Sequence, residues 1–354
     1  MHIPFCEKRC AYCNFYSAFK SEEMLESYTN SLIKSIKQWG GKINRPIDSI
    51  YLGGGTPSLL NHRLIEVMTA VKENFKVLEN SEITLEINPS NNIEEILKNA
   101  ANAGVNRISI GAQSGIDREL SLLGRTHTAF DTQKAVEIAK NLGFENISLD
   151  IMLGLPNSNN KTLKESLDFL IELDPAHISA YILKIEPNTL LHKNINNLNL
   201  PDDDQIAEQY LFMCEYLKEK QFSHYEISNF CKEGFEGKHN LKYWHCEEYL
   251  GIGPSAHSFL NGERFFYPND LKAFINGNSP IFDSIGGDQK EQIMLSLRLK
   301  EGYTFKDNIP EKVLNKCKLL QKNNLLKIEK NRIYLTENGM LVSNSIITEI
   351  LECF

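Results

Sequence analysis

The feature that most constrains the fold is an alternation of short β-rich runs with longer amphipathic stretches between Asp48 and Asn229. This alternation is typical of βαβ units that build a parallel sheet. The predicted strands are 50–52, 82–87, 107–110, 147–152, 177–183 and 225–228, and the predicted helices are 24–39, 64–75, 93–101, 132–142, 163–173 and 205–220. Ligands bind where such strands deliver their carboxyl ends, so we expect the site in the loops that follow them.

Three regions are predicted along the chain. Residues 1–222 form the α/β body, and residues 223–287, rich in glycine, histidine and aromatic side chains, form an irregular functional segment. Residues 288–354 form a small domain with the order helix, helix, hairpin, helix, which is similar to a winged helix. Its lysines leave open a DNA-binding regulator, although lysine-rich helix faces are usually only solvated. The alternative is a lid or a partner-docking module.

Composition narrows the functional class. The 354-residue chain has 42% hydrophobic and 24% charged residues, which is ordinary for a globular protein. Its net charge of -8 argues against nucleic acid as a partner, because phosphate contacts need clustered lysine and arginine. The sequence has neither a signal peptide nor an apolar run of the roughly 20 residues that cross a bilayer. We therefore expect a cytoplasmic protein without a transmembrane segment.

Three of the eight cysteines, Cys6, Cys10 and Cys13, have the spacing Cys-x3-Cys-x2-Cys. In a reducing compartment, clustered thiols indicate metal binding rather than disulfides. Iron–sulfur clusters take one thiolate per iron, so three cysteines leave the fourth iron of a [4Fe-4S] cluster open to an external ligand. The amino and carboxylate groups of S-adenosylmethionine (SAM) are such a ligand. The alternative is a structural zinc site, which usually has four protein ligands.

The longer string HIPFCEKRCAYCNFYS, from His2 to Ser17, resembles the radical-SAM superfamily. Within it, the string is similar to the family of HemW-type haem chaperones and oxygen-independent coproporphyrinogen III oxidases, and the similarity covers nearly the whole chain. The resemblance implies an α/β fold, a partial (β/α)6 radical-SAM barrel with a small C-terminal α+β, winged-helix-like domain. That family usually has a tyrosine two residues before His2, whereas this sequence starts at Met1, so we expect a short first strand.

Several residues match positions at which that family contacts SAM. They are Tyr12, Gly54, Gly55, Thr56, Glu86, Gln113, Arg125 and Asp150. Their chemistry fits, because a sulfonium and an ammonium attract carboxylates, a carboxylate attracts arginine, and ribose hydroxyls bond to Asp, Gln or Glu. The glycine run is expected to present backbone N–H groups to a ligand. Each residue taken singly is equally consistent with a structural ion pair or a helix cap, and Tyr12 with core packing.

The run from His239 to Trp244 resembles the His-Asn-x-x-Tyr-Trp motif that is tied to haem binding in HemW chaperones. The resemblance makes His239 the candidate haem ligand, although a histidine is more often a hydrogen-bonded structural residue.

Two functions stay open. One is a haem chaperone that binds haem, the cluster and SAM and passes haem to an acceptor protein. The acceptor could be a respiratory protein, and transient contact with a membrane protein stays open. The other is a coproporphyrinogen III oxidase of porphyrin metabolism. Both imply a flavodoxin- or ferredoxin-type electron donor. Phe15, where the oxidases carry a further cysteine, the lack of a long segment before the cysteines, and the His239 motif favour the chaperone.

Overall fold

The computed structural model describes residues 1–89 and 92–354. The strands in chain order are β1 (His2–Ile3), β2 (Phe5–Cys6), β3 (Ala18–Phe19), β4 (Ile47–Gly54), β5 (Val77–Ile87), β6 (Arg107–Gln113), β7 (Asn146–Leu153), β8 (His177–Ile182), β9 (Ser223–Glu226), β10 (Asn229–Cys231), β11 (His257–Leu260), β12 (Glu263–Phe266), β13 (Ile281–Ile285), β14 (Tyr303–Thr304), β15 (Leu326–Glu329) and β16 (Arg332–Leu335).

The helices in chain order are α1 (Glu22–Gly40), α2 (Arg63–Asn74), α3 (Ile93–Ala103), α4 (Asp117–Leu122), α5 (Ala129–Asn141), α6 (Asn160–Glu172), α7 (Leu190–Lys193), α8 (Asp203–Glu219), α9 (Lys238–Trp244), α10 (Leu271–Ile275), α11 (Gln289–Ser296), α12 (Glu311–Lys322), α13 (Glu337–Leu341) and α14 (Ser343–Leu351). Short 3-10 helices cover Pro57–Leu60 and Ile195–Asn197. Within the described residues, no helix is both long enough and apolar enough to cross a membrane.

The main sheet has the strand order β1-β4-β5-β6-β7-β8-β10-β9. Strands β1 and β4 to β8 are parallel, and helices connect them. The hairpin β9–β10 adds antiparallel to β8. The predicted partial (β/α)6 barrel is therefore confirmed. Its first strand is short, as expected, and pairs only His2 with Gly53 and Ile3 with Gly54.

Helix α6 illustrates why the predicted elements form where they do. Asn159 caps it, because its side chain accepts hydrogen bonds from the backbone N–H groups of Lys161 and Thr162. Leu163, Leu167 and Leu170 recur at helical spacing and are buried. Burying one such leucine stabilises the fold by roughly 1.5–3 kcal/mol. Helix α6 therefore packs with its leucine face against the core.

The barrel strands alternate between buried apolar and polar side chains. The apolar set packs in the core, and the polar set bonds across the strands, as in the contacts from Ser109 to Asp150 and from Ser148 to His177. Because side chains along a strand point alternately to the two faces, the apolar set lies under the helices and the polar set lines the interior. The barrel interior is therefore polar and charged.

Residues 223–287 contain regular structure, so the prediction of an irregular segment was wrong. They form the hairpin β9–β10, helix α9 and an antiparallel sheet with the order β11-β12-β13. Hairpin β11–β12 turns at Asn261 and Gly262, whose φ angles of 53° and 77° suit the two-residue turn that Asn-Gly favours. The predicted strand 225–228 overlaps β9, but β10 to β13 were not predicted, because they are only three to five residues long.

The C-terminal residues have the predicted order of helix, helix, hairpin and helix. The hairpin β15–β16 turns at Lys330 and Asn331, as expected. Two details differ: the short strand β14 pairs with β16, and the last helix is divided into α13 and α14. The division of the chain at residues 222 and 287 stays a prediction.

Candidate functional site

A cavity of about 500 Å³ opens at the carboxyl ends of the parallel strands. We call it the cluster cavity. Its lining includes every residue that the sequence predicted for the cluster and for SAM: Cys6, Cys10, Tyr12, Cys13, Gly54, Gly55, Thr56, Glu86, Gln113, Arg125 and Asp150. These residues come from well-separated parts of the chain and meet because parallel strands end at one edge of a sheet.

The three cysteines are free and partly buried thiols: Cys6 ends β2, and Cys10 and Cys13 lie in the loop after it. Thr56 donates a hydrogen bond from Oγ1 to Cys6 Sγ at 3.7 Å, and Arg125 donates from Nη1 to Cys10 Sγ at 3.4 Å. Burial, followed by the nearby thiols, raises the pKa of Cys13. A bound cation would hold such a thiol as the thiolate that metals need.

The three cysteines line the same cavity, so each could supply one thiolate to a different iron of a [4Fe-4S] cluster. Within residues 1–89 and 92–354, no group of three or more His, Cys, Asp or Glu side chains is arranged to hold a single metal ion.

The glycine run does not present free N–H groups, so that expectation was wrong. The N–H groups of Gly53, Gly54, Gly55 and Thr56 donate to Met1 O, Glu86 Oε2, Ile3 O and Phe5 O. A Cβ on Gly55 would lie 2.6 Å from Phe5 O. The glycines thus let β4 approach the cysteine segment closely, and this packing leaves their N–H groups no ligand to bind.

Glu86 and Asp150 are two of the carboxylates that line the cluster cavity. Glu86 accepts hydrogen bonds from the Tyr51 hydroxyl at 2.7 Å and from Gly54 N at 3.1 Å, and Asp150 accepts one from Ser109 Oγ at 3.2 Å. Burial raises the pKa of Glu86. Burial, together with the charge of Glu86, raises the pKa of Asp150 to about 7. A cationic ligand would relieve this cost, so the cavity favours a positive group.

Arg125 is one of the basic residues that line this site. Its Nη2 donates to Asn88 Oδ1 at 2.6 Å and to Gly111 O at 2.7 Å, which holds the guanidinium beside Cys10. Gln113 ends β6 with a φ of 68°, an uncommon angle for a residue other than glycine. Tyr12 packs against a small buried apolar cluster that includes Leu123 and Met152. The ring of Tyr12 therefore both packs against the core and forms part of the cavity wall.

His239 lies outside the cluster cavity. It lines a second cavity of about 420 Å³, which we call the histidine cavity, together with residues of β4, α9 and the segment 248–257. Its Nδ1 is 2.9 Å from Ser49 Oγ, and its Nε2 is 2.9 Å from the Tyr243 hydroxyl. Burial lowers the pKa of His239 to about 3. The imidazole is therefore neutral near pH 7, and an incoming metal would have to displace the Tyr243 hydroxyl from Nε2.

Two residues that the sequence analysis missed hold His239 in place. Tyr51 stacks on its ring, with centroids 5.3 Å apart and planes at 20°. Glu82 accepts hydrogen bonds from Lys238 N at 3.0 Å and from His239 N at 3.1 Å. Glu82 thus does the work of a cap for helix α9, whose Gly237 has no side chain to do so. No local signal marks Glu82, because it lies more than 150 residues away.

Comparisons with known proteins agree with this geometry. The Radical SAM superfamily profile matches residues 1–170. Heme chaperone HemW of Bacillus subtilis is 35% identical over 99% of this chain and 98% of its own length. Heme chaperone HemW of Lactococcus lactis is 32% identical over 99% of this chain and 96% of its own. The radical SAM coproporphyrinogen III oxidase HemN from Escherichia coli superposes with a TM-score of 0.84, covering 99% of this chain and 88% of that chain at 20% identity, which shows the fold alone.

Proposed function

The chain belongs to the HemW haem chaperone family of the radical SAM superfamily, and from this premise we propose that it binds haem and passes it to an acceptor protein. The family implies a [4Fe-4S] cluster and SAM. The proposal adds haem, its ligand His239, and the roles of the residues in the cluster cavity. The single observation that carries it is the neutral, aromatic-flanked His239 in a cavity next to the cluster cavity.

The residues of the cluster cavity fit the implied cofactors. Cys6, Cys10 and Cys13 would each hold one iron. Glu86 and Asp150 would face the positive groups of SAM, because their raised pKa values favour a cation beside them. Arg125, Gln113 and Thr56 supply donors for carboxylate and hydroxyl groups. When bound and reduced, the cluster and SAM supply one-electron chemistry, with electrons from a flavodoxin- or ferredoxin-type donor.

The histidine cavity fits one edge of a haem. Haem iron is often held by a neutral imidazole, and the lowered pKa keeps His239 in that form. Tyr51 stacks on one face of the imidazole, while the edge-on ring of Tyr243 stands beside Nε2. The imidazole is thus fixed in orientation, with the hydroxyl of Tyr243 as the group that iron displaces. The acceptor protein would then take haem from this partly exposed position.

Haem titration tests this proposal. Purified full-length protein should develop a Soret band when haem is added, and His239→Ala should lose it. His245→Ala is the matched control, because His245 lies on the same segment but bonds to Glu301. A Soret band that is unchanged in His239→Ala would contradict the proposal.

The likeness of the fold to HemN favours a second candidate, an oxygen-independent coproporphyrinogen III oxidase. Phe15 argues against this candidate, because it occupies the position at which the oxidases carry a further cysteine. Its side chain lines the cluster cavity and is 69% exposed. We expect the anaerobically reconstituted protein to form no protoporphyrinogen from coproporphyrinogen III. Turnover of that substrate under reducing conditions would reverse the order of the two candidates.

A further inference from the structure

The cluster cavity and the histidine cavity meet at one pair of residues. Glu86 and Gly54 line both cavities. Tyr51 connects the pair to the histidine, because its hydroxyl donates to Glu86 Oε1 at 2.7 Å while its ring stacks on His239. A single side chain therefore touches the predicted SAM contact and the predicted haem ligand.

We propose that Tyr51 is a positioning residue that couples SAM binding in the cluster cavity to haem binding at His239. This inference rests on the proposed function, since it needs both ligands to bind where that proposal puts them.

The surroundings of Tyr51 leave it little freedom. A Cβ on Gly53 would lie 2.8 Å from Tyr51 Cε1 and 3.0 Å from Glu86 Oε1, so the glycine is what allows the hydrogen bond to form. The other carboxylate oxygen of Glu86 is held by Gly54 N. Any movement of the Glu86 carboxylate is therefore passed to the phenol, and from the phenol to the imidazole stacked on it.

The expected sign of the coupling is positive. A cationic ligand beside Glu86 keeps the carboxylate ionised, and an ionised acceptor makes the stronger hydrogen bond to the Tyr51 hydroxyl. The fixed phenol then orders the imidazole before haem arrives, so the second ligand meets a site that the first has already ordered. Linkage is reciprocal, so haem must strengthen SAM binding by the same factor. We expect a factor of about five or more, at the lower end of typical couplings.

Haem titrations of the cluster-loaded protein, with and without saturating SAM, measure this factor. In the wild type, SAM should lower the Kd for haem about fivefold. Tyr51→Phe keeps the stacked ring but loses the hydroxyl, so the factor should fall to about one whatever the affinity of the variant for each ligand alone. Tyr267→Phe is the matched control, because its hydroxyl bonds to Trp39 instead. Tyr51→Leu, which also loses the ring, should in addition change the position of the Soret band.

The outcomes separate the two proposals. If the wild type binds both ligands with a factor of one, or if Tyr51→Phe keeps the full factor, the coupling through Tyr51 is refuted and the proposed function stands. If the wild type binds no haem, both are refuted. A SAM titration of each variant without haem shows that the variant is folded and its cluster cavity intact.

Discussion

Replacing Asp150 with asparagine should stabilise the SAM-free protein at pH 8 and weaken its binding of SAM. Asp150 lies in the middle of β7, inside the barrel, where burial and the neighbouring Glu86 raise its pKa to about 7 from an ordinary value of 3.8. Asparagine has the same shape and keeps an oxygen that accepts the hydrogen bond from Ser109. The substitution therefore removes mainly the cost of the charge.

The sign and size follow from linkage. Well below the ordinary pKa of 3.8 the carboxyl group is protonated in both the folded and the unfolded chain, so it makes no charge-dependent contribution to stability there. As the pH rises from about 4 to about 7, the unfolded chain ionises first, and the folded state loses stability. A difference of about three pKa units, at about 1.4 kcal/mol each, sets an upper bound of about 4 kcal/mol above pH 7. Asp150→Asn should avoid this loss.

Urea unfolding at pH 5 and pH 8, with and without SAM, measures the effect. The stability advantage of Asp150→Asn should grow by about 2 kcal/mol or more between the two pH values. SAM should raise the stability of the wild type more than that of the variant. The control is Asp168→Asn, whose carboxylate is exposed, pairs with Lys164 and has a lowered pKa, so the variant should gain nothing at pH 8. An advantage of Asp150→Asn that does not change with pH would refute the reasoning.

Two further substitutions test how the site is supported. Glu82→Ala should leave two backbone N–H groups of helix α9 unbonded, lower the free energy of unfolding by about 1–3 kcal/mol and weaken haem binding. Glu82→Gln keeps one acceptor oxygen, so it should lose less stability and less haem affinity. Urea unfolding measures the stability, and a haem titration measures the affinity. Gly55→Ala should lower the free energy of unfolding by about 1–3 kcal/mol and lower the iron content after reconstitution, because its Cβ would clash with Phe5 O. A Cβ on Gly41 would have no atom closer than 3.9 Å, so Gly41→Ala should change neither quantity much.

The barrel could be predicted because its outward side chains repeat a simple pattern. In strands β4 to β8 the buried aliphatic residues recur at every second position, and the helices between them have a buried apolar stripe, so the sequence could predict that these elements exist and in which order they follow. The ends were less readable. Strand β4 begins at Ile47 rather than at residue 50, because Asp48 and Ser49 are polar residues within the strand and interrupt the apolar run. The Asn261-Gly262 turn was a readable signal that the sequence analysis did not use.

The cluster cavity could be predicted for a different reason. Its residues lie at the carboxyl ends of strands, and topology alone brings such ends together. The sequence could not predict which side chains form hydrogen bonds to these residues or stack on them. The contacts of Tyr51 with Glu86 and with His239 join three elements, and no local pattern marks a residue whose partners lie so far along the chain. The glycine run was misread for the same reason, since its N–H groups donate to residues 1–5 and to Glu86, which lie far from it in the sequence.

Three carboxylates of the barrel interior show how partners assign different roles to the same chemical group. Both oxygens of Glu82 accept backbone N–H groups, so this side chain is committed to helix α9. Glu86 accepts one backbone N–H and one hydroxyl, and it sits between the two cavities. Asp150 is bonded by serine hydroxyls alone. Hydrogen bonds from backbone N–H groups lower the free-energy cost of a buried carboxylate charge. Asp150 has none of them, so its charge remains the most costly of the three, and we expect the positive charge of SAM to stabilise it most.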